Sequence, residues 1–303
     1  MGHHGHDQNR SSWGCTMLTQ AALCVGMYMA FYIGTPMKSN KRSAGDGRAL
    51  DLHFLTVSGG QRPPKQQAHL LKQMEKVAKT YKVKFVINIS ELGEDDPLLR
   101  NGTLHFPSLK IPWYTTISRA SQEQGRGYFL SQVTVPPQRT LDIIGLETGS
   151  LQDLFRNERL SDIENDQLHW LMRTLAASDS EWRIVVGFHP LIVCDEHATV
   201  TTRVYESLHQ IFLNYQVKAY LSKHGCTGYY NSDRGIVYIE NPGHVNENHR
   251  PPSVNETSNS LKEMHDGFLL HRVSSLEFVS YFINSAGKVM FKSTIYQRGK
   301  EIM

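Results

Sequence analysis

The chain is poor in cysteine, nearly balanced in charge and without the short motifs that mark the commonest cofactor sites. Four cysteines in 303 residues exclude a disulfide scaffold. Cys15 and Cys24 fall in an N-terminal apolar segment, leaving Cys194 and Cys226, too few to assign a redox compartment. With 32 Lys and Arg against 29 Asp and Glu, the formal charge is only +3, so no basic field draws the chain to nucleic acid. There is no CxxC pair, nucleophile elbow or internal repeat. Gly59-Gly60 follows a strand but lacks the Lys-Ser/Thr of a phosphate loop and reads as a tight turn. A hydrophobic content of 40% and a charged content of 20% exclude disordered and collagen-like classes. The length fits one large domain or two modest ones. The single excess is histidine, 15 in all, roughly twice ordinary usage, which invites a metal-enzyme reading and requires a position-by-position test.

From Ser11 to Met37 no residue is charged, and the centre, Met17 to Ile33, is apolar on every side. At about 1.5 Å per residue this run spans a bilayer core. Trp13 at one end and Tyr28 with Tyr32 near the other suit interfacial belts. A cleaved signal peptide would need a shorter apolar core and a small-x-small site. The expectation is therefore a polar tail over 1–12, an uncleaved single-pass signal anchor over 13–36 and a linker over 37–49. Lys38, Lys41, Arg42 and Arg48 place the large domain in the cytosol by the positive-inside rule. The sequons Asn101-Gly-Thr103 and Asn255-Glu-Thr257 point instead to a secretory lumen, so the side of the membrane stays open.

Beyond the linker, Leu50 to Val57 has strand length. Pro64 to Tyr81 then carries Leu70, Leu71, Met74, Val77, Ala78 and Tyr81 at helical spacing, and Val83 to Ile89 is a second buried strand. Strands are expected at Trp113 to Ile117, Gly127 to Val135 and Thr140 to Leu146. A helix capped by Asn165 or Asp166 follows, then the strand Trp182 to Phe188, a helix along Val204 to Tyr215 and the strand Val217 to Leu221. Four further strands close the chain: Ile236 to Ile239, Phe268 to Val273, Leu276 to Asn284 and Lys288 to Thr294. Alternating strands and helices with a strand-rich tail predict an α/β sandwich of two sheets.

Ligands of α/β sheets gather at the carboxyl ends of strands. Those ends read Ser58-Gly59-Gly60, Ser90-Glu91-Leu92-Gly93-Glu94, Ser118-Arg119-Ala120-Ser121, Gly187-Phe188-His189-Pro190 and Lys223-His224-Gly225-Cys226. Four longer segments are the most specific: Ile111-Pro112-Trp113-Tyr114-Thr115, Gln167-Leu168-His169-Trp170-Leu171, Trp182 to Pro190, and Asn284 to Val289. In order and spacing they resemble segments of the calcineurin-like metallophosphoesterases, specifically the purple acid phosphatase branch, over about Asp51 to Met290. The resemblance implies a metallophosphoesterase-type domain over 50–303, and a site where two divalent ions of Zn, Mn or Fe clamp a phosphate and acidify a water.

Residue by residue, the chain departs from the ligand set that the resemblance implies. Ser58 stands at the first Asp, Glu91 at the bridging Asp, Glu94 at the Tyr, Arg119 at the Asn and Ala120 at the leaving-group His. Phe188 stands at a His ligand, with His189 one place later, where strand alternation turns it to the other face. His224 matches, and its partner position is Cys226. Ser58 cannot supply the missing charge nor Phe188 the missing lone pair, and the weak candidates Glu91, His224 and Cys226 do not hold two metals. The expectation is a membrane-anchored pseudo-phosphatase without a metal cofactor. Its vestigial pocket clusters Arg119, Glu91 and His224, with Arg119 and His224 able to hold an anion such as phosphate or a phosphoester, and its role is to bind or scaffold an unidentified protein partner. The alternative is an active phosphomonoesterase with a site rebuilt from Glu91, His224, Cys226 and His189.

Overall fold

Strands that are apolar on both faces must be covered on both sides, and that requirement sets the layers of this protein. The computed structural model describes residues 51–116, 127–149, 151, 162–194, 201–203, 206–223, 230–243 and 266–297, with the backbone alone at 162–165, 192–194 and 201–203. It also describes 17, 18, 20, 21 and 23, which are helical and exposed. The chain divides into two units, Met1–Arg48 and Ala49–Met303. Among the described residues no helix is long and apolar enough to cross a membrane, and the expected span over 13–36 lies almost wholly outside them.

The second unit holds two six-stranded mixed sheets. In the first, β1 (Leu52–Ser58), β2 (Val86–Ile89) and β3 (Trp113–Thr115) run parallel. The second begins with β4 (Phe129–Val135), antiparallel to β5 (Arg139–Leu146), which pairs parallel with β6 (Trp182–Gly187). A separate antiparallel pair, β7 (Ile192–Cys194) and β8 (Thr201–Arg203), follows. The second sheet continues through β9 (Ala219–Lys223), parallel to β6 and to β11 (Ile236–Asn241), with β10 (Tyr230–Asp233) antiparallel at the edge. A meander of β12 (Gly267–Val273), β13 (Glu277–Asn284) and β14 (Val289–Tyr296) completes the first sheet, β12 lying antiparallel to β1.

Helices α1 (Pro64–Tyr81) and α2 (Pro97–His105) cover the first sheet, with Leu70, Leu71, Met74 and Leu98 packed on Leu55, Val57 and Val86. Helices α3 (Asp162–Ala177) and α4 (Glu206–Asn214) cover the second, with Leu171, Leu175, Leu208 and Phe212 against Ile144, Val185 and Tyr220. Between the sheets lies the largest core, which includes Phe54, Ile87, Ile143, Trp182, Val186, Phe188, Leu221 and Ile239. The order of layers is therefore helix, sheet, sheet, helix, the two-sheet α/β sandwich expected.

Some boundaries move for local reasons. Lys82 caps α1 at φ 53°, so Val83 turns back to bond the Ala78 carbonyl and the β2 ladder starts only at Val86. Tyr81, counted with the buried stripe of α1, is exposed, and Gln67 is buried instead. Asn165 and Asp166 do not cap α3, which begins a turn earlier at Asp162. The nine-residue α2 was not expected. Its signal is Asp96-Pro97, a side-chain cap followed by proline at the first helical position.

Candidate functional site

The carboxyl ends of β1, β2, β6, β9 and β11 bring the predicted positions together in part. Ser58 is buried, and its hydroxyl donates to the Asn241 carbonyl at 3.3 Å. Under it, Ser280, His271 and Thr56 form a chain of hydrogen bonds that ends on Asn241 Oδ1. Thr56 donates to Asn241, so the His271 Nε2 hydrogen points to Thr56 and Nδ1 accepts from Ser280. Burial holds His271 down at about 3, so the ring is neutral. Asn241 Nδ2 donates to the Ser222 carbonyl, tying β11 to β9. The floor of the site is thus a neutral, internally satisfied network.

The loops after β1 and β2 are fastened by Asp96. This fully buried carboxylate accepts from Gly60 N at 2.7 Å, from Leu98 N at 2.7 Å and from the Ser90 hydroxyl. A Cβ on Gly59 would stand 2.1 Å from Asp96 Oδ2, so only glycine fits between the loops. Glu91 leaves this corner exposed and reaches Lys223 Nζ at 4.0 Å. Glu94 lies exposed on the 3-10 turn Gly93–Asp95 and faces none of the other predicted residues in the described contacts.

Phe188 stays in the core between the sheets, and its ring carries Lys223 Nζ at 4.1 Å from the centroid. His189 turns away from that core, as strand alternation predicts, yet it remains at the site. Its Nδ1 lies 3.0 Å from the hydroxyl of buried Thr148, and its carbonyl accepts from Tyr220 at 2.7 Å. Burial, with the charge of Lys223 adding and a hydrogen bond to the Thr148 backbone opposing, holds His189 down at about 4. Lys223 is itself pulled below the ordinary lysine range by burial, against the pull of Glu91. Arg119, Ala120, His224 and Cys226 lie outside the described residues, as does the expected Arg119 contact with Glu91. The described cation beside Glu91 is Lys223, which the ligand-position comparison overlooked because it precedes the matching His224.

These donors do not fit a dinuclear centre. Phe188 has no lone pair, and Ser58 is a neutral hydroxyl already committed to Asn241. Among the described residues no group of three or more His, Cys, Asp or Glu is placed to hold a metal. A lysine cation stands next to Glu91, one of the two carboxylates at former ligand positions.

No family model matches the chain. Human tartrate-resistant acid phosphatase type 5 is 26% identical over 153 residues, 47% of each chain. The mouse protein of the same name is 26% identical over 147 residues, 45% of this chain and 44% of its own. The chain thus spans about half the length of the curated relatives it matches. The solved structure of GAP50, the anchor in the inner membrane complex of Plasmodium, superposes with a TM-score of 0.62 at 17% identity, over 84% of this chain and 91% of that one. Sequence relatives and shared architecture together relate this chain to the calcineurin-like phosphoesterases.

Proposed function

We propose that this protein is a membrane-anchored pseudo-phosphatase, a phosphoesterase fold that has given up its dinuclear metal centre and retains a binding or scaffolding role. The observation that carries this reading lies at and beside an old ligand position: a phenylalanine in the core where the family's chemistry needs imidazole, with the ammonium of the neighbouring Lys223 over its ring. Without two dications there is no activated water and no clamp for a transferring phosphoryl group. GAP50, which its solved structure names the anchor in the inner membrane complex of Plasmodium, offers a precedent for an anchoring role on this architecture. The anchor in this chain would be residues 13–36, making the protein single-pass, with a protein partner on the domain.

Metal analysis of the purified chain tests the reading together with a phosphomonoesterase assay in the presence of Zn, Mn or Fe. The expected result is far below two equivalents of metal and no turnover above background. Two equivalents, or turnover abolished by both Glu91→Ala and His224→Ala, would overturn it in favour of a rebuilt catalytic site.

A further inference from the structure

Helix α1 carries a charge that its packing does not use. From Pro64 to Lys84 the chain has six lysines and one glutamate, a local surplus larger than the +3 of the whole chain. At about 100° and 1.5 Å per residue, Lys65, Lys72, Lys76 and Lys79 fall within an arc of about 60° along about 21 Å of helix. The buried residues Gln67, Leu70, Leu71, Met74 and Ala78 occupy the opposite side, so the lysine stripe points away from the first sheet. All four lysines are exposed, and among the described residues none forms an ion pair. Glu75 lies on the flank, half-buried, where its carboxylate accepts from Ser108 N at 3.5 Å. The pattern works against the helix itself. Lys72 and Lys76 are like charges at i and i+4, and Lys65 stands in a first turn without an acidic residue, where the dipole disfavours a cation.

The stripe ends where the chain enters this unit. Lys84 N donates to the carbonyl of His53, the second residue of β1, at 2.9 Å, and the Tyr81 ring lies 5.6 Å from that of His53. Exposed Lys82 and Lys84 carry the positive charge to that point. The polypeptide that arrives there has passed the apolar run from Ser11 to Met37 and then Lys38, Lys41, Arg42 and Arg48, charges of the same sign. Between the lysines of the stripe stand Ala68 and His69. The stripe therefore has no arginine fork and no large apolar anchor of the kind that fills a pocket on a protein partner. Compact ammonium charges on long stems suit a fluid anionic surface. We propose that the exposed lysine face of α1 is a docking surface for a bilayer rich in anionic phospholipid. The inference rests on the membrane-anchored part of the reading above, which supplies that bilayer. Each lysine beside an anionic surface strengthens partition about fivefold, and a tether to the same membrane supplies the local concentration at which four such lysines suffice.

Amine labelling of the full-length chain tests the face. The chain is reconstituted with vesicles of phosphatidylcholine alone or with about one third phosphatidylserine, floated, and acetylated with a membrane-impermeant reagent. Each lysine's rate is taken relative to Lys218, which precedes β9 in the second sheet. The expected result is labelling of Lys65, Lys72, Lys76 and Lys79 at least about fivefold slower on the anionic vesicles than on the neutral ones. That protection fades as salt rises from about 0.1 M to about 0.5 M. Lys72→Glu combined with Lys76→Glu exposes Lys65 and Lys79 again, whereas Lys72→Arg combined with Lys76→Arg keeps them protected. The comparison of the two lipids uses the unaltered chain, so it decides even where a variant fails to fold. Equal labelling on both lipids, protection that survives the charge reversal, or a stripe shielded by added RNA but not by anionic vesicles would overturn the docking surface. Flotation separates this inference from the anchor. A chain that floats with both vesicles and labels its stripe equally keeps the anchor and loses the docking face. One that floats with anionic vesicles alone, its stripe protected, keeps the face and loses the anchor, and one that floats with neither loses both.

Discussion

Asp96 ties three segments with one carboxylate: the loop after β1 through Gly60, the loop after β2 through Ser90, and the start of α2 through Leu98. Replacing it with alanine leaves buried donors unpaired and uncaps a helix. The expected loss is about 3 kcal/mol, from a cap of about 1 kcal/mol and charge-assisted bonds of comparable size. Urea denaturation of Asp96→Ala measures it, and Asp96→Asn, which keeps an acceptor oxygen, should lose less. His271 gives a pH dependence of definite sign. Its ordinary value of 6.5 falls to about 3 in the folded chain, because burial excludes the charged ring. Between those values the unfolded chain binds the extra proton, so the His271 contribution is fully present above pH 6.5 and is lost as pH falls toward 3. The slope approaches about 1.4 kcal/mol per pH unit for one proton, and half-exposed His189 adds a smaller contribution of the same sign. Urea midpoints taken from pH 7.5 down to 5 should fall, and His271→Gln should flatten the curve.

Strands buried on both faces and helices with one continuous apolar stripe were legible in the sequence, because those patterns have no other use. β6 differs from its expected span only in ending at Gly187, and α1 matches residue for residue, starting with a proline at its first position. Elements whose sequence is polar were not: β10 reads Tyr-Asn-Ser-Asp and is held by its neighbour β11 rather than by any apolar pattern. α2 hides behind Asn101 and Gly102, poor helix formers kept because Gly102 lies where a Cβ would be 3.0 Å from the Trp113 ring. At the site, Ser58, Glu91, Phe188 and His189 are readable from the spacing of the strand ends. Lys223, Thr148 and Asn241 were not, since spacing shows what stands at a ligand position but not which neighbour's side chain replaces the ligand. The close approach of β1 to β2 is an element-level property with its own test. Gly59→Ala would place a Cβ 2.1 Å from Asp96 Oδ2, 2.5 Å from Asn88 Oδ1 and 2.8 Å from Ser90 Cβ. All three side chains are buried, and Asp96 and Ser90 are bonded to each other, so the strand ends must part. A cost of about 1–3 kcal/mol follows, readable as a lowered melting temperature.

For the whole molecule, the division at Arg48 and Ala49 separates a unit that carries the proposed anchor from one that carries the site. The second unit has its own two sheets and three apolar layers between sheets and helices. It also carries exposed apolar residues on β14, Val289, Phe291 and Tyr296, that offer a rival route to membranes or partners. Deleting residues 1–49 distinguishes the two routes. If the apolar run from Ser11 to Met37 spans the bilayer, full-length chain stays in the pellet after alkaline extraction and the deletion moves to the supernatant. A deletion that stays with extracted membranes locates the attachment on the domain, and the anchor reading fails. An intermediate result has a definite meaning as well: pelleting of the deletion in neutral buffer and release at alkaline pH marks peripheral association through the domain, added to an anchor that the full-length chain alone retains.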